Sequence, residues 1–156
     1  MSANNLGEAV VVVTGAAGRL GRCMRQRFAD HGATVAALVR DPSRLPESPP
    51  GQVFKANVTD EAEVVAGFQR IGETFGHVDA LVHTVGAWDG RPLLETSLDD
   101  WERIVRLNLT SAFLCFREAV RLMQGRGGRL IGVASGQGAD KGRAQQGAYS
   151  AAKAGL

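Results

Sequence analysis

Residues 9–31 read AVVVVTGAAGRLGRCMRQRFADH, and the handover in their middle decides the architecture. Four valines, Val10 to Val13, lead through Thr14 to Gly15. A β-branched run without polar alternation predicts a strand over 9–15 that is buried on both faces. Beyond the first glycines, Leu20, Met24 and Phe28 recur every four residues. That spacing predicts a helix over 18–31 with those three side chains inward, and Gly32 is a natural stop for it.

The turn itself, TGAAGRLG at 14–21, carries glycines at 15, 18 and 21. Gly15 permits a tight turn, Gly18 lets a phosphate approach the backbone, and Gly21 lets the helix pack closely on the sheet. A helix N-terminus offers N–H groups and the positive end of a dipole, so the pyrophosphate of a dinucleotide would rest there. Gly15, Gly18, Arg19, Leu20 and Gly21 are therefore candidate cofactor-binding residues.

ATVAALV at 33–39 is a second buried strand, and Arg40 follows it. An acidic side chain at that point would bond the ribose 2′-OH of NAD, whereas a guanidinium pairs with a 2′-phosphate. The expected cofactor is NADP(H), with Arg40 as its ligand and Arg19 as a second candidate. Both also fit ordinary surface arginines. DPSRLPESPPG (41–51) holds four of the five prolines and reads as a loop. QVFKANV (52–58) is a third strand, and Thr59 or Asp60 caps a helix to about Thr74 with Val64, Val65, Phe68 and Ile71 inward.

VDALVHTVG (78–86) is a fourth strand, and a loop with Trp88 follows it over 87–97. Ser97 caps one long helix over 98–124, GRGG breaks it, and RLIGVAS (129–135) is a fifth strand. Alternating strands and helices with short connections define an α/β class, a doubly wound parallel sheet. Near the C-terminus, GAYSAAKAGL (147–156) places Tyr149 and Lys153 four residues apart, on one helical face.

The length of 156 residues fits one domain, and 44% apolar with 22% charged residues is an ordinary globular composition. A formal charge of +2 with scattered arginines gives no basic stripe, so neither nucleic acid nor membrane is an expected partner. Cys23 and Cys115 lie inside apolar-periodic segments without metal-site spacing, and both are expected to be buried free thiols with no metal site. The polar start MSANNLGEA lacks a signal-peptide pattern, and no apolar run approaches a membrane span. A cytoplasmic location is the expectation.

Together, the glycine turn and the Tyr-x-x-x-Lys pair resemble the short-chain dehydrogenase/reductase family, along essentially the whole chain. RLNLTSAF (106–113) aligns Asn108 with the family's catalytic asparagine, and Ser135 with its strand-five serine. ANVTD (56–60) is similar to the segment that flanks the adenine, which implies contacts from Asn57 and Val58. In GHVDALVHTVG (76–86), only Gly86 survives from the family's Asn-Asn-Ala-Gly. Asn57 stands where an aspartate is usual. TGAAGRLG has the glycine spacing of the family's extended branch, that of sugar-nucleotide epimerases, and His83 shares that flavour. DDWERIVRLNLTSAF (99–113) follows the compact branch, which is the expected membership.

The resemblance implies a Rossmann-type three-layer sandwich, incomplete on the C-terminal side: one NADP-binding domain over 1–156, the N-terminal part of a longer fold. It implies an oxidoreductase acting on a small carbonyl or alcohol through Asn108, Ser135, Tyr149 and Lys153. Tyr149 would move the proton, Lys153 would supply charge and hold the nicotinamide ribose, Ser135 would bond the substrate oxygen, and Asn108 would anchor a relay water. Gly86 would close the cofactor floor. For the full-length protein it also implies a homo-oligomer, a dimer or tetramer. Plainer readings fit each residue: a helix start for the Tyr149–Lys153 pair, a strand-end cap for Ser135, a backbone-bonded helical polar residue for Asn108. Trp88 fits substrate contact or packing equally. As a class, the alternative is a nucleotide-binding or interaction module with little or no catalysis.

Overall fold

The computed structural model describes residues 6–46, 50–136 and 144–156. Among them, five parallel strands make one sheet: β1 (Val10–Thr14), β2 (Thr34–Val39), β3 (Gln52–Lys55), β4 (Ala80–His83) and β5 (Arg129–Gly132). Their spatial order is β3-β2-β1-β4-β5. The connecting helices are α1 (Arg19–Asp30), α2 (Glu61–Phe75), α3 (Leu98–Val105) and α4 (Ser111–Met123), with α5 (Gly147–Gly155) after β5. The chain winds outward from β1 to β3, then crosses back to β4. The reversal opens a crevice at the carboxyl ends of β1 and β4.

Every residue of β1 is buried, and alternate side chains serve opposite layers. Val11 and Val13 join Val35, Ala37, Val39 and Val82 under Met24, Phe28 and Ala29 of α1. Val10 and Val12 join Ala36, Leu38 and Leu81 under Phe68 and Ile71 of α2 and Leu114, Cys115 and Ala119 of α4. Caps fall where the side chains predict them: Asp60 accepts from the Glu63 N–H at α2, and Ser97 from the Asp100 N–H at α3. β3 and β5 are the sheet edges, and all four residues of β5 are exposed.

Three expectations need correction. In α1 the fully buried positions are Gly21 and Arg25, while Leu20 is 39% exposed. The glycine turn folds so tightly against α1 that a Cβ on Gly21 would lie 2.3 Å from the Gly15 oxygen. Met24 and Phe28 still pack on the sheet, half-buried, while Cys23 is exposed and only Cys115 is buried. The strands are also shorter than their apolar runs, with β4 ending at His83 and β5 at Gly132.

The third correction concerns the long helix, which is interrupted by a π-turn at Arg106–Thr110. The Ser111 N–H bonds to the Arg106 carbonyl, five residues back. The Ser111 hydroxyl then donates to the Leu107 carbonyl at 2.7 Å. One added residue per turn leaves carbonyls for side chains to satisfy. His83 braces this turn from the sheet. Its Nε2 lies 3.2 Å from Ser111 Oγ, and its Nδ1 lies 2.9 Å from Thr14 Oγ1.

Two measurements test this packing. Burial, helped by the Lys153 cation, pushes His83 from the ordinary 6.5 down to about 4. Between those values the unfolded chain binds a proton that the folded protein refuses, so stability falls as pH drops through that window. The loss amounts to about 3 kcal/mol. Chemical denaturation at neutral and acidic pH should find it in the wild type, with His83→Gln removing most of it. An equal loss in both proteins contradicts the assignment. Burial also pushes the Cys115 thiol up to about 12. Alkylation near pH 8 should therefore label Cys23 alone until the protein is denatured, as read by mass spectrometry.

Candidate active site

β1 delivers the chain into the glycine turn at Gly15, whose φ of +63° favours glycine. The Gly18 N–H closes the turn on the Gly15 carbonyl at 2.8 Å. Gly18 is the N-cap of α1, with no side-chain cap and no acidic residue in the first turn. Such an end keeps its N–H donors and its positive dipole for an anion.

Next to it, a cavity of about 430 Å³ spans the carboxyl ends of β1, β2 and β4. Gly15, Gly18, Arg40, Asn57, Val58 and Gly86 all line it. Arg19, Leu20 and Gly21 lie outside this lining, in the first turn of α1. The Asn57 Oδ1 accepts from the Thr59 N–H and hydroxyl, which commits it to the turn before α2.

Arg44 is a lining residue that the sequence reading missed. It belongs to a 3₁₀ turn at Pro42–Arg44, which brings it to the cavity wall. Asp41 caps that turn by accepting from the Ser43 N–H and hydroxyl, and these bonds lower its pKa first, with Arg44 and Arg40 adding to the effect. Asp-Pro-Ser is a capping pattern with proline at N1, and it was the signal that would have placed Arg44. Arg22 ties the two walls together. Its Nε donates to the Ala17 carbonyl at 2.9 Å and its Nη2 to the Arg44 carbonyl at 2.6 Å.

At the opposite end, Gly86 meets the polar cluster. A Cβ there would lie 2.6 Å from Asn108 Oδ1 and 3.0 Å from Lys153 Nζ. Asn108 is fully buried in the π-turn, where Nδ2 donates to the Ala87 and Ile104 carbonyls at 2.9 and 3.0 Å. Its Oδ1 accepts from the Ala87 N–H at 3.2 Å. Lys153, on α5 and 6% exposed, donates from Nζ to the Val133 carbonyl at 2.9 Å, and burial lowers its pKa. The same Nζ lies 5.9 Å from the Tyr149 ring centroid.

Ser135 is half-buried, two residues beyond Val133. Asn108, Lys153 and Tyr149 are thus brought together. No hydrogen bond between Ser135 and Tyr149 exists among the described residues. Trp88 is 63% exposed and folds over Gly90, where a Cβ would lie 2.3 Å from the ring. Its loop is fastened at both sides. Arg103 pairs with Asp89, Arg91 pairs with Asp100 at 2.5 Å, and the Arg91 N–H donates to the Gln145 carbonyl at 2.7 Å.

Among the described residues, no cluster of His, Cys, Asp and Glu could hold a metal, and no helix is long and apolar enough to cross a membrane. Known proteins complete the comparison. The chain is 35% identical to a 3beta-hydroxysteroid dehydrogenase of Mediterraneibacter gnavus over 94% of its own length and 56% of the relative's. It is 33% identical to the 3-oxoacyl-[acyl-carrier-protein] reductase FabG of Vibrio cholerae, over 97% and 64%. The chain therefore spans about three-fifths of the curated relatives it matches. The crystal structure of a short chain dehydrogenase from Mycobacterium smegmatis superposes with TM-score 0.89 at 29% identity, over 97% of this chain and 68% of that one. An aldohexose dehydrogenase from Thermoplasma acidophilum gives 0.87 at 26%, over 96% and 58%. The family model described as short chain dehydrogenase matches residues 9–156, and the chain belongs to that family.

Proposed function

We propose that this chain is the nucleotide-binding part of an NADP(H)-dependent oxidoreductase that interconverts a carbonyl and an alcohol. We take it as a single domain over 1–156, the N-terminal portion of a longer fold. One observation carries the reading. A single cavity runs from the uncapped N-terminus of α1 to Gly86, and Gly86 packs directly on Asn108 and Lys153. A dinucleotide fits that layout, with its pyrophosphate against the backbone N–H groups of Arg19, Leu20 and Gly21. Asn57 and Val58 would flank the adenine. Arg40 and Arg44 would take a 2′-phosphate in charge-assisted hydrogen bonds. Asp41, the carboxylate on that wall, has its Oδ1 engaged by the Ser43 N–H and hydroxyl, which ties it to the turn beside the two arginines.

When bound, the nicotinamide supplies or accepts the hydride. The chain's own residues then manage the proton. Tyr149 gives it to, or takes it from, the substrate oxygen, and the Lys153 ammonium keeps positive charge beside that phenol. Lys153 also holds the nicotinamide ribose. Ser135 donates a hydrogen bond to the same substrate oxygen, an oxyanion-type contact. Asn108 orients a water that passes protons between Lys153 and solvent. The relatives' names, a hydroxysteroid dehydrogenase and a 3-oxoacyl reductase, support carbonyl and alcohol groups as the chemical class.

Fluorescence titration should find NADPH bound more tightly than NADH. Arg40→Ala should weaken NADPH by about ten- to a hundredfold and leave NADH nearly unchanged. An NADH preference, or NADPH affinity untouched by the substitution, overturns the cofactor assignment. Tyr149→Phe should slow carbonyl reduction by a factor on the order of 10² or more at unchanged cofactor affinity. Full turnover in that variant removes Tyr149 from the mechanism.

A further inference from the structure

His83 is 1% exposed, with both ring nitrogens bonded inside the protein, so it cannot reach a substrate. Its partners nevertheless form a directed chain. The Leu107 carbonyl can only accept, so the Ser111 hydroxyl donates its single proton there at 2.7 Å. The Ser111 oxygen must then accept from His83, which puts the imidazole proton on Nε2, 3.2 Å away. A neutral imidazole with that proton offers Nδ1 as acceptor, and the Thr14 hydroxyl fills it at 2.9 Å. Each member has a defined role, and reversing any one leaves a buried group unpaired.

The two ends of the chain are the two functional ends of the crevice. Thr14 is the last residue of β1, immediately before the glycine turn. Leu107 lies in the π-turn, directly before Asn108. We propose that His83 is a positioning residue: its hydrogen-bond chain from Thr14 to the Leu107 carbonyl holds the π-turn and so aims the Asn108 amide at Ala87, beside Gly86. The functional weight of this aim rests on the reading of Asn108 as the proton-relay residue. The geometric claim stands apart from it. Burial and the Lys153 charge favour the neutral ring that the chain requires.

Nuclear magnetic resonance of the ¹⁵N-labelled 156-residue chain tests this without a substrate. The imidazole spectrum of His83 should report the Nε2–H tautomer. His83→Phe and Ser111→Ala should each shift the Asn108 side-chain amide pair and speed its hydrogen exchange about tenfold, the scale of one lost hydrogen bond. The β2 and β3 amides should hold still. His83→Gln, which keeps a donor directed at Ser111, should restore the Asn108 signals. An Nδ1–H tautomer overturns the proposal. So does an Asn108 pair that is unchanged in both variants, or that changes no more than the β2 amides. If His83→Phe does not fold, Ser111→Ala decides alone. A wild type that binds no NADPH would refute the proposed function and leave these spectra to judge His83 independently.

Discussion

The two-sided burial of β1 is the constraint on which everything else depends. A strand flanked by partners on both edges and by apolar layers on both faces leaves no route for its chain except out of its end. That exit lies beside β4, where the winding reverses. Gly15, Thr84, Gly86 and Ala87 therefore collect at one rim, because the sheet has no other opening there. The chemistry is concentrated by topology before any side chain is chosen. The Thr84 hydroxyl marks the seam, donating to the Thr14 carbonyl at 2.8 Å as β4 peels away.

Much of this was legible in the residues. Four valines ending in a spaced glycine turn could only be a buried strand meeting a helix, and Asp60 and Ser97 announced their helices by capping chemistry. What escaped was anything that depends on a tertiary approach distance. Leu20 fits the apolar stripe by spacing, but it is Gly21, packed against Gly15 and Ala16, that takes the buried place in that turn of α1. The π-turn adds one residue to one turn of a helix, which periodicity over 98–124 cannot resolve. Its hydrogen bonding is completed by side chains, with the Asn108 amide donating to the Ile104 and Ala87 carbonyls and the Ser111 hydroxyl to the Leu107 carbonyl. Arg44 escaped for a related reason: a proline-rich loop gives no period, and only the Asp41 cap locates it.

The lysine at the centre of the cluster sits in tension with its surroundings. Lys153 is almost fully buried and, among the described residues, donates to a single carbonyl, so desolvation works against its charge. The nearby His83 would make this worse if it carried a proton. A neutral imidazole is the arrangement that lets the ammonium persist. The pair divides the available charge in favour of the residue that faces Tyr149.

The loop carrying Trp88 has a consequence of its own. Ala87 is bonded to Asn108 through both of its backbone groups, Asp89 is held by Arg103, and the Arg91 backbone is joined to Gln145, two residues before α5. Only Trp88 and Gly90 lie between those fastenings, and Trp88 rests on Gly90. Each fastening removes backbone freedom from the loop as the chain folds. The indole of Trp88 is thus carried, largely exposed, on a backbone whose neighbours on both sides are already tied down.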